Sequence, residues 1–188
     1  MSAPVRAVTL QCHPETPSEA VRDIGVRISR TRDGILALSY RLAGDLARVR
    51  IPPPRPAVPA DRLWQHTCCE IFVARPGRPA YHEFNFSPST EWAACAFARY
   101  RERGPVCDEA LNPQVTVRTT KDQLELDAAI RLDRVSAAHA IEKLSVGLSV
   151  VVEERGGRIS YWALKHASGK PDFHHPDAFA LELDEVRH

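Results

Sequence analysis

Apolar residues recur at every second position through much of this chain. Ile24, Val26 and Ile28 share one side of the run Arg22–Arg30, and Leu36, Leu38, Tyr40 and Leu42 share one side of Ile35–Leu42. A period of two sends neighbouring side chains to opposite faces of an extended backbone, so each run predicts a strand with one buried face. Asp33-Gly34 lies between the two and tolerates positive φ, which predicts a hairpin. Leu46–Ile51 predicts a third, charged strand. The same reading predicts strands over Cys68–Ala74, Ala80–Ser87, Glu91–Tyr100, Val115–Thr119, Gln123–Ile130, Leu144–Glu153, Arg158–Lys165 and Phe179–Leu183. Pro76-Gly77, Pro88-Ser89, Lys121-Asp122 and Gly156-Gly157 supply turns. One helix is predicted over Asp133–Lys143, with Asp133 as its cap.

Many short strands, one short helix and no alternation of strand with helix predict an all-β fold. The expected architecture is an antiparallel β-sandwich of the jelly-roll or immunoglobulin-like kind. The 188 residues fit one domain over 1–188, large enough to fold around its own core. Hydrophobic residues at 44% and charged residues at 26% exclude global disorder. A net charge of +1 gives no basic excess for a nucleic-acid backbone or an anionic membrane, so neither is an expected partner. No run of 18 apolar residues predicts a membrane span. The five cysteines are odd in number and show no CxxC spacing, and the opening residues show no basic leader before an apolar core. These features lead to an expectation of reduced thiols and a cytoplasmic setting. Oligomeric state is not predicted.

Alternation also assigns candidate functional residues. In Ala80–Ser87, Phe84 and Phe86 face the core with His82, which leaves Tyr81, Glu83 and Asn85 on the opposite face. Glu83 and Asn85 then stand about 7 Å apart, a carboxylate beside an amide, suited to hydroxyl groups. In Glu91–Tyr100, Cys95 and Phe97 are expected to face the core. Trp92, Ala94, Ala96, Ala98 and Tyr100 would share the other face as a shallow trough with aromatic ends. Such a trough either stacks a sugar ring or is covered, with its aromatics in the core. Trp64, in DRLWQH, reads first as a hydrophobic plug and second as a ligand contact. The proline-rich stretch Ile51–Ala60 reads as an extended surface connection, with a lid over a site as the alternative.

Catalytic and metal signatures are weak. GxSxG, HExxH, Walker A and GxGxxG motifs are absent. Glu70 and Glu83 could pair for glycoside hydrolysis. Cys68 or Cys69 with His66 or His82 could support nucleophilic chemistry, without an evident orienting group. His166, His174 and His175 lie close in sequence, but their spacing matches no zinc signature. A packed turn with hydrogen-bonded side chains is the simpler reading.

The run Leu63–Arg101 resembles the DOMON-like, family 9 carbohydrate-binding-module-like domains. These carry (D/E)-x-x-E-(I/L)-F, then Y-x-E-(F/Y)-x-(F/I)-x-P, then an aromatic strand. Glu70-Ile71-Phe72 matches the end of the first motif, although Thr67 stands at its leading acidic position. Tyr81, Glu83, Phe84, Phe86 and Pro88 match the second, and Trp92 begins the third. Tyr161–Leu164 and Lys170–His175 resemble bacterial stand-alone members. The resemblance implies a sandwich with a ligand on a concave sheet face. Relatives bind sugars, clamped between two tryptophans and often with a structural calcium, or haem, held by methionine with lysine or histidine. Trp64 and Trp92 are the candidates for the clamp. Met1 is the single methionine and is terminal, so haem would need His82 or His66 with a second histidine.

The leading expectation is a non-catalytic domain binding a small glycan or sugar-like metabolite through Trp64, Glu70, Glu83, Asn85, Trp92 and Tyr100, with no required cofactor. The alternatives are a haem-binding domain, a glycoside-hydrolase-like enzyme using Glu70 and Glu83, and a protein-interaction module.

Overall fold

The computed structural model describes residues 4–107 and 109–186. In chain order the strands are β1 (Arg6–Thr9), β2 (Gln11–Cys12), β3 (Val21–Arg30), β4 (Ile35–Gly44), β5 (Cys68–Ala74), β6 (Tyr81–Phe86) and β7 (Trp92–Arg99). They continue with β8 (Glu102–Cys107), β9 (Gln114–Thr119), β10 (Gln123–Arg131), β11 (Leu144–Glu153), β12 (Ile159–Ala163) and β13 (Leu181–Leu183). A five-stranded sheet runs β1-β3-β4-β10-β9, and an eight-stranded sheet runs β2-β12-β11-β5-β6-β7-β8 with β13 also on β11. All strand pairs are antiparallel. The fold is the all-β sandwich that the alternation implied.

The core forms because paired residues on neighbouring strands project to the same face. Val26 pairs with Tyr40 and Tyr40 with Leu126, and all three are buried. Opposite them, Ile71 pairs with both Phe84 and Leu148, again fully buried. Tyr40 also bonds the layers together, its hydroxyl donating to the Glu70 carbonyl at 2.7 Å. The Asp33-Gly34 turn is present, with Gly34 at φ +73° as a turn of this kind requires.

Two local expectations are corrected. Leu46–Ile51 is not a strand: Leu46–Arg48 is a 3-10 turn, and the Asp45 side chain accepts from the Ala47 amide at 3.2 Å. That local bond offers the backbone an alternative to a ladder. The single helix is two short ones, α1 (Leu132–Val135) and α2 (Ala137–Ile141). Ser136 is extended between them and caps α2 through the His139 amide, whereas Asp133 pairs with Arg131 at 2.7 Å. The strands β1, β2 and β8 were not foreseen.

Two irregular segments define the outer face of the eight-stranded sheet. The proline-rich connection runs beside the start of β7, with Ala60 donating to the Trp92 carbonyl and Trp92 to that of Val58. It delivers a second 3-10 turn, Leu63–Gln65, begun by Arg62 in the left-handed region at φ 57°. On the other side, the chain after β12 crosses the sheet before β13. Gly147 lets it come close, since a Cβ there would meet the Ala178 carbonyl at 3.2 Å.

Candidate functional site

Between these two segments lies a cavity of about 200 Å³ on the outer face of β6 and β7. Glu83 and Asn85 form its floor, Ala93, Cys95 and Phe97 continue it on β7, and Arg101 and Arg103 border it. Asp61, Arg62 and Trp64 close one side and His174 the other. The floor is almost sealed, with Glu83 6% and Asn85 2% exposed, whereas Trp64 is 51% exposed. An exposed indole thus stands over a desolvated carboxylate and amide.

The floor is wired internally. Asn85 Nδ2 donates to Glu83 Oε1 at 2.8 Å. Glu83 Oε2 lies 3.9 Å from His174 Nε2. The Tyr81 hydroxyl lies 2.7 Å from His174 Nδ1 and accepts from the Arg101 amide at 3.1 Å. These two contacts tie the His174 ring to β6 and to the backbone of the β7–β8 turn. Burial, helped by Arg101, pushes His174 down to about 4, so the ring is neutral near pH 7. Burial raises the Glu83 carboxyl above its ordinary range, opposed by the Asn85 bond and by Arg103 and Arg101. Phe72, Tyr81 and Phe97 wrap His174, with ring centroids 5.0, 5.8 and 5.0 Å from it.

Trp64, Glu83 and Asn85 therefore meet at one cavity. Glu70 shares their sheet face, pairing with Asn85, but is 2% exposed and lies outside the cavity lining. Its Oε2 accepts from the Ser149 hydroxyl at 3.3 Å, and burial together with Glu83 drives its carboxyl well upward. Tyr100 sits beyond β7 in the turn to β8, 50% exposed, with its hydroxyl donating to Asp172 at 2.6 Å.

Trp92 requires a correction. It is 1% exposed and lies in the main core with Ala94, on the opposite side of the sheet from Glu83. The expected faces of β7 are inverted, because the short Ser87–Glu91 connection pairs Phe86 with Trp92. The same register sets Glu83 opposite Cys95 and Tyr81 opposite Phe97. The alanine trough is not formed: Ala94 is buried in the core, whereas Ala96 is exposed. Trp64 and Trp92 thus lie on different faces and cannot flank one ring.

The comparisons with solved structures bear on this arrangement. A candidate carbohydrate-binding protein from Bacteroides uniformis superposes with TM-score 0.63 at 14% identity, over 94% of this chain and 84% of that one. A family 9 carbohydrate-binding module from Caldicellulosiruptor kristjanssonii, in complex with cellotriose, superposes with TM-score 0.55 at 10% identity, over 88% and 75%. The chain shares their fold. No family model and no curated protein sequence matches it.

Reasoning from sequence missed the arginines, Cys95, Phe97 and His174. The pairing of Phe86 with Trp92 across a short turn was the signal available for the β7 residues. His174 comes from a segment far along the chain, and no spacing announced it. Among the described residues, no group of three His, Cys, Asp or Glu side chains is placed to hold a metal ion. Of the histidines considered for haem, His66 is bonded to Glu153 at 2.7 Å and His82 packs edge-on against His139. Cys68 and Cys69 are buried thiols whose ionisation is pushed upward by desolvation, which removes nucleophilic character.

Proposed function

We propose that this protein is a non-catalytic sugar-binding domain whose site is the cavity between Trp64 and the Glu83–Asn85 floor. The observation that carries this reading is the half-exposed indole facing a buried carboxylate–amide pair across about 200 Å³. A sugar ring has an apolar C–H face and a rim of hydroxyls. The indole offers a surface for the first, and Glu83 and Asn85 offer acceptors and a donor for the second. The cellotriose complex of the Caldicellulosiruptor module, which has the same fold, supports a saccharide ligand. Binding is favoured over hydrolysis by Glu70 and Glu83 because Glu70 lies outside the cavity lining, whose other carboxylate, Asp61, pairs with Arg103 at 3.8 Å. Glycosidic cleavage by Glu70 and Glu83 needs both to flank the scissile bond.

Calorimetric titration with glucose, cellobiose, galactose and xylose tests the proposal. Saturable binding by at least one sugar is expected. Trp64→Ala should weaken it by about tenfold through lost stacking, and Glu83→Gln by about tenfold through a lost carboxyl hydrogen bond. Absence of binding across the panel, or binding indifferent to both substitutions, contradicts it.

A further inference from the structure

A second cavity, of about 220 Å³, adjoins the first and shares His174 as a wall. Tyr81, Tyr100 and Phe179 give it aromatic sides, and Arg75 and Arg78 are the charged side chains of its lining, with no carboxylate among them. Each cavity alone is smaller than the roughly 300 Å³ at which small-molecule sites usually begin, and side by side they exceed it. His174 keeps a 16% exposed side chain along the shared wall, so a ligand can lie across it from one cavity to the other.

The charges around this groove are unevenly compensated. Arg101 is held by Asp172 at 2.7 Å and Arg75 by Glu142 at 2.7 Å, and Arg103 donates to Cys95 Sγ at 3.1 Å and lies 3.8 Å from Asp61. Arg62 in the first cavity and Arg78 in the second have no side-chain partner among the described residues. The whole chain carries only +1, so this concentration of guanidinium groups is local. A guanidinium fork matches a planar carboxylate with two parallel hydrogen bonds.

Resting on the sugar-binding reading above, we propose that the site continues past His174 into a second subsite and that its ligand is an acidic saccharide. Two linked uronic-acid units would place one carboxylate within reach of Arg62 and the other within reach of Arg78. The hydroxyls of the first unit meet the Glu83–Asn85 floor. The ring of the second lies among Tyr81, Tyr100 and Phe179.

The test is calorimetric titration with matched neutral and acidic sugars: glucose, galactose and mannose against their uronates, as monomers and as linked dimers. In at least one series the uronate dimer should bind about tenfold tighter than its neutral counterpart, and added salt should weaken it. Arg62→Ala and Arg78→Ala should each cost the uronate dimer about tenfold with unchanged melting temperatures, and Arg78→Ala, outside the first cavity, should leave neutral monosaccharides unaffected. Neutral sugars binding as well as uronates, through Trp64, would overturn the acidic ligand but keep the sugar site. Uronate dimers indifferent to Arg78→Ala would overturn the second subsite. Failure of every sugar to bind would overturn both this inference and the proposed function.

Discussion

The two sheets of this sandwich present very different outer faces. On the five-stranded sheet the outward positions are mostly small, polar or charged. Arg118 reaches Glu125 and Asp127 at 3.1 and 2.9 Å, and Ser29, Ala37 and Ser39 lie between the charged positions on the strands. On the eight-stranded sheet the outward face carries its own apolar cluster, Phe72, Tyr81, Cys95 and Phe97, beside the buried polar groups Glu70, Glu83 and Asn85. Solvated groups on an outer face cost the fold little. Desolvated carboxylates cost it stability, and such costs concentrate where a site is built.

The comparison breaks most sharply at the two tryptophans. Trp92→Ala should destabilise the protein by about 3–5 kcal/mol, because the ring is sealed in the core, whereas Trp64→Ala should cost well under about 1 kcal/mol. Denaturant titration of both variants checks this. If the half-exposed indole proved the costlier loss, the assignment of faces would be wrong.

The next largest effect is acidic destabilisation. His174 has its pKa lowered from 6.5 to about 4 in the folded protein. The unfolded chain therefore takes up the proton first as pH falls. The stability is present in full above about 6.5 and is lost progressively toward pH 4, by roughly 3 kcal/mol. His174→Gln should flatten the pH–stability curve over that interval; a curve as steep as that of the unsubstituted protein would remove His174 as the cause.

Glu70 works in the opposite direction. Its folded-state pKa is raised, so its contribution is greatest below about pH 4.5 and declines as pH rises. Glu70→Gln cannot ionise and should be more stable than the unsubstituted protein at pH 8, by on the order of 1 kcal/mol, with no gain at pH 4. On the other sheet, Asp127→Asn should change stability by less than about 0.5 kcal/mol, since its partner Arg118 is largely exposed. Thermal melts at both pH values separate these cases.

The same contrast explains what the sequence made legible. In β3 and β4 one face is apolar and the other polar, so alternation assigned Ile24, Val26, Leu38 and Tyr40 to the core correctly. In β7 both faces carry apolar residues, Trp92 and Ala94 on one and Cys95 and Phe97 on the other. Alternation then reports two faces without saying which is inner. Only the register with β6 decides, and that is a pairing between strands. Glu83 and Asn85 were legible because Phe84 and Phe86 fixed the parity of their strand. Trp64 and His174 reach the cavity from irregular segments, and Arg101 and Arg103 border it from the β7–β8 turn and β8, which alternation did not foresee. The Leu46–Arg48 turn escaped because the Asp45 side chain satisfies the backbone locally.

Amide chemical-shift mapping while glucose, cellobiose or a uronate is added compares the two outer faces in a single experiment. The account predicts saturable shifts gathered around Trp64, Glu83, Asn85, Arg103 and His174, with Ser29, Ser39 and Asp127 unmoved. Shifts centred on the five-stranded sheet, or none on either face, would contradict it.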